Sequence, residues 1–243
     1  NLVIMPFRAP KTAKDYAAIW MEGGSPLKVY ADRVQLSLQN SFNEANEDVL
    51  VLNGMAYSQP FISEAMAQLE QEGRDEIVVI PMFPQYSTAT TASVFEAVNE
   101  AASKWEISPQ LLFVNDLYAE PAFVRAWSIL ITRHLKEEEI DHVIFSYHGM
   151  PEQAILKADD ANHCRFGVCC QQISDKNELC YRAQCIATTR SITEALAWER
   201  DEYSIAFQSR FGRQAWIKPY LDEHLQDLLG QGINRVAIIT PSF

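Results

Sequence analysis

Residues 143–151 read Val-Ile-Phe-Ser-Tyr-His-Gly-Met-Pro, an apolar run that ends in a histidine and a turn. The run does not alternate with polar residues, which is typical of a strand buried on both faces of a parallel sheet. Gly149 and Pro151 predict a turn directly after it. Because ligands of open α/β sheets bind beyond the carboxyl ends of strands, we expect His148 to lie at a ligand site. The alternative is a loop histidine that only makes structural hydrogen bonds.

Other apolar runs of strand length alternate with segments of helical periodicity. Strands are predicted at 49–52, 77–80, 111–114, 142–146, 203–207 and 235–240, and helices at 62–72, 93–103, 122–135, 188–199 and 220–229. This alternation predicts an α/β protein with parallel sheets flanked by helices.

Two strand–helix–strand units of similar plan recur along the chain. Each ends in Pro-x-Phe, at 81–83 and at 241–243. Such an internal repeat predicts two Rossmann-like lobes, 1–115 and 116–243, with a ligand cleft between them. Chance similarity between two such units is the alternative.

The composition excludes some functions. The 243 residues are 48% hydrophobic and carry a formal net charge of −12, so nucleic acid is an improbable partner. No apolar run approaches the roughly 20 residues that span a bilayer, and residues 1–10 lack the pattern of a signal peptide. We therefore expect a cytoplasmic protein, and we expect this chain to be cut at both ends.

All five cysteines lie within 22 consecutive residues: Cys164, Cys169, Cys170, Cys180 and Cys185. Disulfide scaffolds are usually short and secreted, with cysteines spread through the chain. The clustering instead predicts a local metal site within an insert at 160–185. Free thiols are the alternative.

Two further segments combine turns with polar or aromatic side chains. In 80–93 a strand leads into hydroxyl residues that include Ser87 and Thr88, which either cap the next helix or bind an anionic group. In 207–223 a polar loop with two arginines precedes Trp216. That indole is either a platform for a flat aromatic ligand or a core anchor.

Together these segments resemble the ferrochelatases. Ser-Tyr-His-Gly-Met-Pro at 146–151 resembles the family's Ser-Ala-His-Gly/Ser-Leu-Pro motif, and Phe-Pro-Gln-Tyr-Ser at 83–87 resembles its Pro-Gln-Tyr-Ser motif. The segment 207–223 resembles Gln-Ser-x-x-Gly…Trp-x-x-Pro…Asp-Glu, 24–27 resembles Gly-Ser-Pro-Leu, and 54–57 fits Gly-x-x-Tyr. The motifs come in family order and span 20–243.

The resemblance implies two Rossmann-like lobes that bind a porphyrin and insert Fe²⁺ into it to form haem, with release of two protons. The substrate it implies is protoporphyrin IX or coproporphyrin III, and the wording of 208–212 favours the former. It implies that His148 is the catalytic base and an Fe²⁺ ligand. The implied pocket wall is formed by Met55, Tyr57, Tyr86 and Trp216, and the implied propionate contacts are Ser87 and Thr88.

For the cysteines, the resemblance implies a [2Fe–2S] cluster held by Cys164, Cys169, Cys170 and Cys180, with Cys185 spare. Structural zinc, with His163 nearby, is the alternative. The chain departs from the family pattern at Ala56, where many relatives have Arg. In relatives a catalytic Glu follows the second Pro-x-Phe, beyond Phe243, and an N-terminal lip precedes the first lobe. Residues 1–243 alone are therefore expected to be weakly active or inactive.

Other functions remain open at this point. They are a cobalt or nickel chelatase of the same superfamily, a non-catalytic porphyrin carrier, and an iron–sulfur sensor. The expected partners are porphyrin and ferrous iron, with peripheral membrane association because the substrate is poorly soluble. The oligomeric state is not predicted.

Overall fold

The structure is a computed structural model that describes residues 13–242. Its helices include α1 (Pro26–Glu44), α2 (Ile62–Gln71), α3 (Thr91–Ala102), α4 (Pro121–Leu135), α5 (Glu152–Lys157), α6 (Tyr181–Leu196) and α7 (Leu221–Gly230). Its strands are β1 (Glu76–Val79), β2 (Gln110–Phe113), β3 (His142–His148), β4 (Tyr203–Gln208) and β5 (Val236–Ile239). None of the helices in this range is both long and apolar enough to cross a membrane.

The described chain divides into two compact units. The first contains the described residues through Glu76 together with Ala97–Gln110, and the second contains Ile77–Glu96 with the residues from Leu111 onward. The predicted lobes, 1–115 and 116–243, stay a prediction.

The second unit is built around the central strand β3. It pairs in parallel with β4 on one side and with β5 on the other, in the order β4-β3-β5. Phe145 and Tyr147 face a buried cluster that includes Ile192 of α6, whereas Ile144 faces a second cluster with Leu228 of α7. Helices therefore cover both faces, which explains why the β3 sequence does not alternate. The predicted α/β class with parallel sheets flanked by helices is confirmed.

The predicted strand at 49–52 forms no sheet ladder with the other described residues. Side chains of α1 take the place of a neighbouring strand. Gln39 donates to the carbonyl oxygen of Val49 (2.8 Å) and accepts from the amide of Val51 (2.9 Å), and Gln35 donates to the carbonyl oxygen of Val51 (2.7 Å). The apolar pattern gave no sign that amide side chains would satisfy this backbone.

Two helices, α1 and α5, were not predicted. In α1 only Val29 is buried, so the apolar residues do not mark a single inner face. The start of α1 nevertheless follows simple chemistry, because Ser25 accepts a hydrogen bond from the amide of Lys28 (3.3 Å) and Pro26 occupies the first helical position. The predicted helix at 188–199 begins earlier, at Tyr181.

Candidate active site

His148 is the last residue of β3, in register with Gln208 of β4. The six residues of β3 that precede it are buried, whereas His148 is partly exposed. The imidazole therefore lies at the carboxyl rim of a parallel sheet, where the sequence placed it.

Two hydrogen bonds fix His148. Its Nδ1 lies 2.7 Å from the carbonyl oxygen of Gly149, and its own carbonyl oxygen accepts from the Tyr181 hydroxyl at 2.8 Å. A carbonyl oxygen only accepts, so Nδ1 donates to Gly149. In the neutral ring the basic lone pair is therefore on Nε2.

Gly149 makes a close approach that only glycine allows. A Cβ atom built on it would lie 2.7 Å from the carbonyl oxygen of Gln208 and 3.1 Å from Cε3 of Trp216. Its amide donates to the same Gln208 oxygen at 2.7 Å. The turn after β3 is thereby packed against both β4 and the indole.

Trp216 is buried, and its Nε1 donates to the carbonyl oxygen of Phe211 at 2.9 Å. Its backbone pairs with Pro151 in an isolated bridge. The indole therefore anchors the turn that follows His148, and its predicted contact with the substrate remains a prediction.

A buried side-chain amide anchors the loop at 85–88. Gln85 donates to the Thr188 hydroxyl (2.9 Å) and to the carbonyl oxygen of Pro241 (3.1 Å). Ser87 is buried, and its hydroxyl lies 2.6 Å from that of Thr90, directly before α3. The hydroxyl cluster thus organises the start of a helix, and this contact favours the capping interpretation. The predicted contact with an anionic group stays a prediction.

A cavity of about 220 Å³ joins this loop to the cysteine insert. Its lining includes Tyr86, Ser87, Thr88 and Met150 on one side and Cys164, Cys169 and Cys180 on the other. The structure thus brings three of the predicted substrate residues together with three of the predicted metal ligands. His148 and Trp216 are not part of this lining.

Four of the cysteines form a continuous series of thiol contacts. Cys164 is hydrogen bonded to Cys169, the Sγ atoms of Cys169 and Cys170 are 3.7 Å apart, and Cys170 is hydrogen bonded to Cys180. Cys185 lies outside this series, fully buried in the cluster around Tyr147. All five are free thiols.

The pKa values of these thiols follow from their contacts. Burial and then the neighbouring Cys169 raise the pKa of Cys164 to about 11. The hydrogen bond between Cys170 and Cys180 raises the pKa of the former and lowers that of the latter. Burial raises the pKa of Cys185. Within residues 13–242 no three His, Cys, Asp or Glu side chains are already arranged to hold a metal ion.

Sequence reasoning missed a buried polar group, Gln184 of α6. Its Oε1 accepts from the amide of Tyr86 (2.6 Å), and its Nε2 donates to the Asp116 carboxylate (2.8 Å) and to the carbonyl oxygen of Glu178 (2.6 Å). Burial is the main cause that raises the pKa of Asp116. A glutamine on a helix is usually exposed, so nothing in the sequence indicates this network.

Met55 and Tyr57 belong to the first unit. Met55 is paired with Phe61 in an isolated bridge, and the Tyr57 side chain is 90% exposed. Their place in a porphyrin pocket stays a prediction.

Comparison with known proteins identifies the family. The family model described as Ferrochelatase matches residues 1–243. The chain is 38% identical to the ferrochelatase of Coxiella burnetii (strain RSA 493 / Nine Mile phase I), covering 100% of this chain and 67% of the relative. It is 38% identical to that of Bdellovibrio bacteriovorus (100% and 71%) and 37% identical to that of Legionella pneumophila strain Paris (99% and 70%). The chain therefore belongs to the ferrochelatase family, the enzymes that insert iron into a porphyrin in haem biosynthesis.

Proposed function

We propose that the porphyrin is protoporphyrin IX, with coproporphyrin III as the alternative, and that His148 removes the pyrrole protons. The observation that supports this role is the Nδ1 hydrogen bond to the carbonyl oxygen of Gly149. It leaves Nε2 as the basic nitrogen of a neutral ring at the rim of the sheet.

The reaction needs a base, a bent macrocycle and a metal that sheds its water. Fe²⁺ and porphyrin give haem and two protons, so each of the two pyrrole N–H groups must lose its proton. A neutral imidazole suits that task near neutral pH. In this proposal Nε2 takes the two protons one at a time and releases each to water. His148 also serves as a ligand to the Fe²⁺ substrate, in a separate step, because the same lone pair cannot hold a proton and the metal at once. Bending the ring exposes the nitrogen lone pairs to the metal, and substrate binding energy supplies that strain.

The pocket wall in this proposal consists of aromatic and thioether side chains: Met55, Tyr57, Tyr86 and Trp216. Ser87 and Thr88 contact a propionate. Both lie just before α3, whose N-terminus favours negative charge. The two lobes of this proposal are 1–115 and 116–243.

We further propose that Cys164, Cys169, Cys170 and Cys180 hold a [2Fe–2S] cluster, with structural zinc as the alternative and Cys185 spare. The donor chemistry fits, because four thiolates suffice for such a cluster and these four thiols already form one series. Grouped thiolates repel one another, and a metal would supply the compensating positive charge. When bound, the cluster cross-links the insert, and it takes no part in the proton transfers.

The enzyme is placed in the cytoplasm, with peripheral membrane association during porphyrin uptake and with porphyrin and Fe²⁺ as its partners. The low solubility of porphyrin is the reason for the proposed membrane association.

The test is anaerobic metal insertion by the full-length protein. Protoporphyrin IX and coproporphyrin III are each mixed with Fe²⁺, and loss of porphyrin fluorescence and growth of haem absorbance are followed. His148→Ala is run in parallel. Turnover of protoporphyrin IX that is lost in the variant supports the proposal. Faster turnover of coproporphyrin III would reassign the substrate, and equal turnover by the variant would remove His148 from the chemistry.

A further inference from the structure

We infer that the first turn of α6 is a positioning element, in which Tyr181 fixes His148 and Gln184 fixes Tyr86. The inference rests on the proposed roles of His148 and Tyr86 and adds two residues that act through them. Tyr181 and Gln184 are three positions apart on a helix, so they lie on neighbouring parts of its surface.

Tyr181 holds the backbone from which the imidazole projects. Its hydroxyl donates to the carbonyl oxygen of His148 at 2.8 Å, across 33 positions of sequence. The ring is buried in the cluster that also contains Tyr147 and Phe207, so its position is set by packing. The end of β3 is therefore tied to the start of α6.

Gln184 holds the loop that carries Tyr86. The side chain is fully buried, and its partners fix the orientation of the amide. The Tyr86 N–H only donates, whereas the Glu178 carbonyl and the ionised Asp116 carboxylate only accept. The amide oxygen and both amide hydrogens are thus used. Removal of this side chain would take one hydrogen-bond partner from each of three groups: the Tyr86 N–H, the Asp116 carboxylate and the Glu178 carbonyl.

The same turn also joins the cysteine insert. Cys180 is the residue directly before α6, and Glu178, whose carbonyl accepts from Gln184, lies within the insert. Tyr181 and Gln184, which contact His148 and Tyr86, thus lie within the same segment, 160–185, as the cysteines.

The test for Tyr181 uses Tyr181→Phe with Tyr147→Phe as its matched control, in the full-length protein. Tyr147 lies in the same buried cluster, and its hydroxyl is 2.8 Å from that of Thr189. Each variant loses one buried hydroxyl, so a similar decrease in Tm is expected for both. For Tyr181→Phe we expect kcat for Fe²⁺ insertion to fall about 10-fold or more with KM for porphyrin changed less than about 2-fold, since small misplacement of a catalytic group is costly. Tyr147→Phe should stay within about 2-fold in both.

Imidazole resonances of His148 provide a readout that does not depend on turnover. Their chemical shifts should change in Tyr181→Phe and stay unchanged in Tyr147→Phe. Equal kcat in the two variants with unmoved His148 resonances would overturn the role of Tyr181. Absence of insertion by the wild type would refute the proposed function instead, and the resonances would still decide the positioning role.

The test for Gln184 uses Gln184→Leu with Thr193→Val as its control. Thr193 is a buried polar residue of the same helix, and its hydroxyl donates to the carbonyl oxygen of Arg190 on that helix (3.1 Å). We expect Gln184→Leu to raise KM for porphyrin about 10-fold, and Thr193→Val to leave it within about 2-fold. Wild-type KM in Gln184→Leu, or an equal rise of KM in Thr193→Val, would contradict the role of Gln184.

Discussion

Replacement of Gly149 by alanine is the most direct test of the geometry around His148. The added methyl group would start 2.7 Å from the carbonyl oxygen of Gln208 and 3.1 Å from Cε3 of Trp216. The first contact is with backbone of a paired strand, which cannot rotate away as a side chain can. To reach an ordinary separation of about 3.2 Å, the turn must move by about 0.5 Å from β4.

Two costs follow from this displacement. Overpacking in a close-packed region costs about 1–3 kcal/mol, and weakening of the 2.7 Å bond from the Gly149 amide to Gln208 adds about 1 kcal/mol. We therefore expect Gly149→Ala to lower the free energy of unfolding by about 2–4 kcal/mol. His148 shares the displaced segment, and its Nδ1 bonds to the moved carbonyl, so kcat should fall about 10-fold or more.

The measurements are urea unfolding and single-turnover iron insertion. Gly230→Ala is the control, because nothing lies within 4 Å of its added Cβ and the residue ends helix α7. Alanine there should leave activity unchanged and stabilise the helix by up to about 1 kcal/mol. If Gly149→Ala unfolds and turns over like the wild type, the close approach to β4 is not what holds His148.

Three further results are expected. Cys170→Ala should abolish the iron and acid-labile sulfide that copurify with the protein, whereas Cys185→Ala should retain them. Metal analysis and visible absorbance measure both. Loss in both variants would contradict the assignment of Cys185 as spare. Burial raises the pKa of Asp116 above its ordinary 3.8, so the wild type should lose stability relative to Asp116→Asn as pH rises from 3.8 through the raised value. Urea unfolding of both proteins at pH 4 and pH 7 measures this. The same difference in unfolding free energy between the two proteins at both pH values would contradict it. Gln39→Leu removes two hydrogen bonds to the backbone at 49–51 and should cost about 1–2 kcal/mol in urea unfolding, and an unchanged midpoint would show that water replaces them.

The strands and most helices could be predicted from the spacing of apolar residues. A strand buried on both faces, for example, is a continuous apolar run. The run at 143–147 is apolar at every position but Ser146, and the structure packs its two faces against different clusters. The failure at 49–52 has an equally physical cause. An apolar pattern reports burial, but it does not report which donors and acceptors satisfy the backbone, and here Gln35 and Gln39 do so.

The sequence by itself determined the family, the α/β class and the position of His148 at the end of a strand, because these depend on local order and on motifs. Only the tertiary structure decided which group holds that histidine. Tyr181 lies 33 positions beyond His148, on a helix whose pattern predicted a later start. A hydrogen bond between residues so far apart depends on how helix and sheet pack, since that packing sets the distance between donor and acceptor, and no local pattern records it.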